Sequence, residues 1–157
     1  SPGEPSLGWD AALPRIVTWV ELGRIGSTER FRVYNTHFDH EGQIARQNSA
    51  ELLATVVAER PADEPVVVLG DLNVLAADPV LDPLEALLVD VRVAAPDLDD
   101  VPTFNAFLRP GGLYTIDYVF ARGAEALSHE TIDDDYGVSY ISDHYPILAV
   151  LDCPACG

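Results

Sequence analysis

The sequence predicts a mixed α/β domain with helices covering its sheet, and three observations predict it. Short β-branched runs alternate with helical periods along the 157 residues. A wholly apolar run at 66–69, set between Pro65 and Gly70, has the pattern of a strand buried on both faces. Apolar residues make up 48% of the chain beside 11 Gly and 12 Pro, so the composition is globular and loop-rich. The length suits one domain with its own core.

The elements follow in order. Residues 1–6 read as loop. Residues 16–22 and 31–37 are β-branched and aromatic and read as strands, and turn chemistry at 23–29 joins them as a hairpin. Residues 42–60 form the best helical period. Ala45, Leu52, Leu53, Val56 and Val57 make its expected apolar stripe, and Pro61 stops it. Residues 79–88 suit a short helix. The acidic stretch 89–100 is ambiguous. Residues 115–121 and 147–151 read as strands, and 152–157 as a loose tail. No apolar run approaches the roughly 20 residues of a membrane span.

Cys153 and Cys156 form a C-P-A-C. One CxxC can be redox-active or half of a zinc site, but no second pair and no βαβ context accompany it. The expectation is an incidental pair on a loose tail. Two such cysteines make no disulfide framework, so the expected compartment is cytoplasmic.

Charge narrows the partners. There are 26 acidic residues against 9 basic ones, all of them Arg, for a formal net charge of −17. Non-specific grip on nucleic acid needs Lys and Arg to neutralise phosphates. The balance therefore points away from long DNA or RNA, or else to a protein adapted to high salt, where screening shortens the reach of its charges.

Polar clusters sit where apolar runs stop. The second strand ends in Asn35-Thr36-His37-Phe38-Asp39-His40. The apolar run ends in Gly70-Asp71-Leu72-Asn73. A later strand holds Ile116-Asp117-Tyr118, and Ser142-Asp143-His144-Tyr145-Pro146 precedes the last. In open α/β folds, ligands gather at the carboxyl ends of strands. Carboxylates, an Asn and histidines converging there can bind a hard cation and move protons. Each piece also has a plain structural reading. Gly70-Asp71 can be a turn, His37 a bonded core histidine, and 142–144 a surface turn. Asp117 resists such a reading, because a carboxylate within an apolar strand is costly unless it is paired or ligates a metal. His37, Asp39 and His40 also have ligand types for a transition metal, but that reading leaves the other clusters unexplained.

In this order the clusters resemble the C-terminal motif series of the endonuclease/exonuclease/phosphatase superfamily. The match spans about residues 7–151. It is nearest the bacterial and archaeal branch, whose members carry segments like 8–15 and 36–40 before an Ala45-Arg46 helix start. The resemblance implies the C-terminal half of a two-sheet α/β sandwich. It also implies a metal-dependent phosphoester hydrolase using Mg²⁺ or Mn²⁺. Asp71 would hold and polarise the attacking water. Asn73 would bind the scissile phosphate, with Asn35 and His37 as further substrate contacts. His37 would also serve as a leaving-group acid. Asp143 and Asp71 would be the metal ligands. His144 would be the acid/base or phosphoryl partner, and Asp117 would orient it. His129 is assigned no chemical role.

The family's N-terminal half, with its Asn and metal-binding Glu, has no counterpart in residues 1–157. One expectation is thus a phosphoesterase piece that needs that half. The alternative is a non-catalytic half-domain acting as a binding module. In either case an apolar face is left for self-association or a partner chain. A small phosphoester or lipid head group is the expected substrate.

Overall fold

The computed structural model describes residues 4–97, 99–107, 112–134, 137 and 141–156. Strand β1 (Val17–Leu22) and strand β2 (Phe31–His37) pair antiparallel, as the hairpin reading requires. Helix α1 (Gln43–Ala58) follows and returns the chain to β3 (Val66–Asp71), which lies parallel to β2. A 3₁₀ turn (Pro79–Leu81), helix α2 (Asp82–Glu85), strand β4 (Val89–Asp90) and helix α3 (Val91–Ala94) come next. Strand β5 (Asp117–Arg122) pairs antiparallel with β3 and β4. The five-stranded sheet therefore runs β1-β2-β3-β5-β4. Strands β6 (Glu125–Thr131) and β7 (Ile147–Asp152) form a separate antiparallel pair.

One face of the large sheet carries the core. Tyr34, Val66, Val68, Tyr118 and Phe120 pack there against Ala50, Leu53, Ala54 and Val57 of α1. These four helix positions follow the i, i+3, i+4, i+7 rule of one helix face. Leu52, expected in that stripe, is exposed instead. It stands about 100° around the helix from Leu53, which turns it to solvent. Gly42 caps α1 with no side-chain bond. The cap is Asp10, whose carboxylate accepts from Ala45 N at 2.7 Å and Ile44 N at 3.2 Å.

The expectation that 66–69 is buried on both faces is half right. Val66 and Val68 are fully buried, but Val67 and Leu69 are only half-buried. Val67 lines a cleft of about 300 Å³ with Phe31, Pro65, Arg122, Leu151 and the two cysteines. The second face of the sheet is thus incompletely covered. Val20 and Leu22 on β1, and Leu127, Leu148 and Val150 on the β6–β7 pair, are exposed. The C-terminal cysteines, expected to be an incidental pair, are joined in a disulfide. Among the described residues, no helix is long and apolar enough to cross a membrane.

Candidate active site

Alternation along the strands places the site. In β2, Tyr34 and Thr36 point to the helix-covered face, so Asn35 and His37 point to the opposite one. The register sets His37 beside Asp71, and Asp71 beside Asp117. Three neighbouring strands therefore present these side chains at one level, on the less covered face. Gly70 makes the turn-out possible. Its φ is +136°, and a Cβ there would lie 1.8 Å from the Thr36 carbonyl oxygen, so no other residue fits.

His144 arrives from the segment before β7. Its Nδ1 donates to Asp117 Oδ2 at 2.7 Å, and its Nε2 lies 3.8 Å from Asp71 Oδ2. Thr103, fully buried, donates its hydroxyl to the same Asp117 oxygen at 2.6 Å and accepts from the backbone N–H of Ile116 and Asp117. The Tyr145 N–H donates to the Thr103 carbonyl at 2.7 Å, which locks the histidine segment to the Asp117 strand. Phe104 packs its ring 5.0 Å from that of His144. The cost of Asp117 within a strand is thus met by an imidazole and a hydroxyl. Thr103 gave no signal in the sequence, since its partner lies 14 positions on.

Asn73 holds a left-handed backbone, φ 52°, which Asn tolerates better than most residues. Its N–H donates to Asp71 Oδ1 at 2.8 Å. Its side-chain amide donates to the Phe38 carbonyl at 3.1 Å and to Asp71 Oδ2 at 3.3 Å, and lies 3.4 Å from His37 Nδ1. Tyr118, beside Asp117, donates its buried phenol to the Val74 carbonyl at 2.8 Å and so pins the loop that carries Asn73. Burial raises the Tyr118 pKa.

His37, Asp71, Asn73, Asp117 and His144 therefore gather in one place. Asn35 stands on the same face one position before Thr36, exposed. Asp143 lies beside His144 but outside the carboxylate cluster, and its backbone carbonyl accepts from Asn105 and Ala106. His37, Asp39 and His40 form no metal group. Asp39 is buried and taken up by backbone amides, and His40 faces Arg15. His129 is a structural residue, buried on β6 with Nδ1 at 3.1 Å from Asp99 Oδ2.

One group of donors fits a divalent cation. Single ligand atoms of Asp71, Asp117 and His144 all lie within 4.8 Å of one another. Burial raises the Asp71 pKa, the Asn73 N–H opposes the rise, and the charge of Asp117 adds to it. A carboxylate held above its usual range by burial and a like charge is one that a cation would relieve. Two carboxylates and an imidazole suit a divalent ion that takes both oxygen and nitrogen donors.

The sequence matches the model of the endonuclease/exonuclease/phosphatase family over residues 3–144. The chain belongs to that family. A solved endonuclease/exonuclease/phosphatase from Bacteroides vulgatus superposes with a TM-score of 0.84 at 32% identity, covering 94% of this chain and 59% of that one. A mannosyl-6-phosphatase from Bacteroides thetaiotaomicron gives 0.83 at 29% identity, covering 93% and 60%. A Danio rerio TDP2 complexed with single-strand DNA product gives 0.69 at 15% identity, a likeness of fold alone, covering 91% and 64%. No curated protein matches the sequence. The chain spans about three fifths of the length of the two Bacteroides structures. Members of this family are phosphoester hydrolases and are generally metal-dependent.

Proposed function

We propose that this chain carries the hydrolytic centre of a metal-dependent phosphoesterase that acts by in-line attack of water on phosphorus. The observation that carries the reading is the convergence of Asp71, Asp117 and His144 at one rim of the sheet, with Asn73 and His37 beside them. Asp71 would hold the attacking water and the cation, with Asp143 acting on the ion through a water. The bound ion, Mg²⁺ or Mn²⁺, would neutralise charge developing on the phosphoryl oxygens.

The residues of the chain do the rest. Asp117 fixes the tautomer of His144, with the proton on Nδ1, and leaves Nε2 to face the substrate. Nε2 then takes a proton from the attacking water or, once protonated, donates to a phosphoryl oxygen. Asn73 and Asn35 contact the scissile group. His37, its side chain half exposed at the rim, protonates the leaving oxygen. A net charge of −17 favours a small phosphoester or a lipid head group over a nucleic-acid polymer. The mannosyl-6-phosphatase likeness agrees with a small substrate.

A second reading has its own observation. The exposed apolar residues of β1, β6 and β7 suit a half-domain that binds a partner or a second copy without catalysis. Hydrolysis of bis-p-nitrophenyl phosphate and p-nitrophenyl phosphate by the 157-residue chain, with and without Mg²⁺, separates the two. Metal-dependent turnover that disappears in Asp71→Ala supports the hydrolase. Equal turnover in both proteins, or none in either, overturns it.

A further inference from the structure

Among the described residues, Asp39 is the acidic residue that folding buries most completely, and the phosphoester reading gives it no task. Its carboxylate is fully engaged. Oδ1 accepts from Glu41 N at 3.0 Å and Gly42 N at 2.8 Å. Oδ2 accepts from Leu13 N at 3.1 Å and lies 3.5 Å from Arg15 Nε. Its own carbonyl accepts from Arg46 Nη1 at 2.9 Å. One side chain thus joins the 10–15 segment, the 39–42 turn and the start of α1. A buried carboxylate persists only with such donors.

The connection to the site runs through one peptide plane. The Phe38 carbonyl belongs to the planar unit between Phe38 and Asp39, so its direction depends on how both residues are held. The Phe38 side chain is held by the core, and its N–H by the Asp71 carbonyl at 2.9 Å. Asp39 is held by its carboxylate. The carbonyl between them accepts the Asn73 amide, which also reaches Asp71 and lies beside His37.

We propose that Asp39 is a positioning residue of the phosphoester site, fixing the Phe38–Asp39 peptide plane and through it the aim of the Asn73 amide. The aiming stands on geometry. Only its consequence for hydrolysis rests on the function proposed above. Misplacing a substrate-contacting group by a fraction of an ångström costs rate without removing any reacting group.

The test compares side-chain amide spectra of the ¹⁵N-labelled full chain, with the Asn73 pair assigned by its loss in Asn73→Asp. Asp39→Asn keeps the volume and removes the charge, and moves both Asn73 amide proton resonances. Asp10→Asn is the control. It weakens the cap of α1 from the same segment and bonds Ile44 and Ala45 rather than 37–39, so it leaves the resonances in place. Equal shifts in the two variants, or none in a folded Asp39→Asn, overturn the proposal. If Asp39→Asn does not fold, Arg15→Gln serves instead. It withdraws the cation and keeps the backbone amide bonds to the carboxylate, and the same resonances move. Unmoved resonances there overturn the proposal too. With Mg²⁺ and bis-p-nitrophenyl phosphate, Asp39→Asn lowers kcat about tenfold with little change in KM. A wild-type chain that hydrolyses nothing sinks the hydrolase reading and leaves the spectral comparison to decide the positioning.

Discussion

The Nδ1–H of His144 and the hydroxyl of Thr103 both end on a single oxygen of Asp117, at 2.7 and 2.6 Å. That oxygen fixes which histidine nitrogen carries a proton and which faces Asp71. Replacing it by an amide group lets the imidazole take the other tautomer. Asp117→Asn is therefore expected to lose activity by about 10²- to 10⁴-fold in kcat while staying folded. Steady-state hydrolysis of bis-p-nitrophenyl phosphate checks the rate, and circular dichroism checks the fold. Near-wild-type turnover would remove His144 from the chemistry.

Thr103 makes a separable contribution. Its hydroxyl oxygen also receives the N–H groups of Ile116 and Asp117. Thr103→Val keeps the shape and strands those donors in a buried place, at a cost of about 1–3 kcal/mol. Thr103→Ser restores the donor and the acceptor. Urea melts of the two variants are expected to differ by that amount, with the Ser variant close to wild type. Equal stability in both would show that the hydroxyl carries no structural role.

The sequence made the strand-end residues legible for a physical reason. Asp71, Asp117 and His144 are polar groups attached to apolar runs, and such groups need partners. The residues that hold them were not legible. Thr103 looks like any loop threonine. Asp10 caps a helix whose first N–H groups lie 34 and 35 positions away. Strand β6 escaped notice because Glu125-Ala126-Leu127-Ser128-His129-Glu130-Thr131 has little β-branched character, and pairing with β7 overrides that weak propensity. Leu52 misled because the apolar stripe holds small residues, Ala50 and Ala54, where size alone suggested leucine.

Gly70 is a place where backbone strain and function meet. A methyl group there would overlap the Thr36 carbonyl and hold a conformation that L residues avoid. Gly70→Ala is expected to destabilise by more than about 3 kcal/mol or to prevent folding. Thermal melting and soluble yield check this. An Ala variant with wild-type melting would mean that the β2 and β3 ends separate at little cost.

Asp71 carries an opposite balance of stability and function. Burial and Asp117 raise its pKa above the ordinary 3.8. Its folded form therefore resists ionisation, and stability is lost as pH rises through that raised value. Asp71→Asn is expected to stabilise the apo chain at pH 7 by about 0.5–2 kcal/mol, the range common for relieved active-site strain, read as a higher melting temperature. Mg²⁺ is expected to stabilise wild type, by about 2.7 kcal/mol at 100 times its Kd, and to leave Asp71→Asn unmoved. A variant stabilised by Mg²⁺ as much as wild type would place the ion elsewhere.

Asp39 shifts the other way and gives the opposite pH dependence. Burial alone would raise its pKa, but the N–H groups of Gly42, Ala12, Leu13 and Glu41 together outweigh that and hold it well below 3.8. Its ionised form is the one that folding favours. That contribution is complete above the unfolded value, near 3.8, and is lost as pH falls below it. Wild type is therefore expected to lose stability steeply between about pH 4 and pH 2. Asp39→Asn, already weakened at pH 7, loses less over the same window because it has no proton to take up there. Melting temperatures measured from neutral pH down through that window separate the two curves at neutral pH and bring them together in acid. Parallel curves would show that other carboxylates dominate the acid limb and that the ionised form of Asp39 adds no stability of its own.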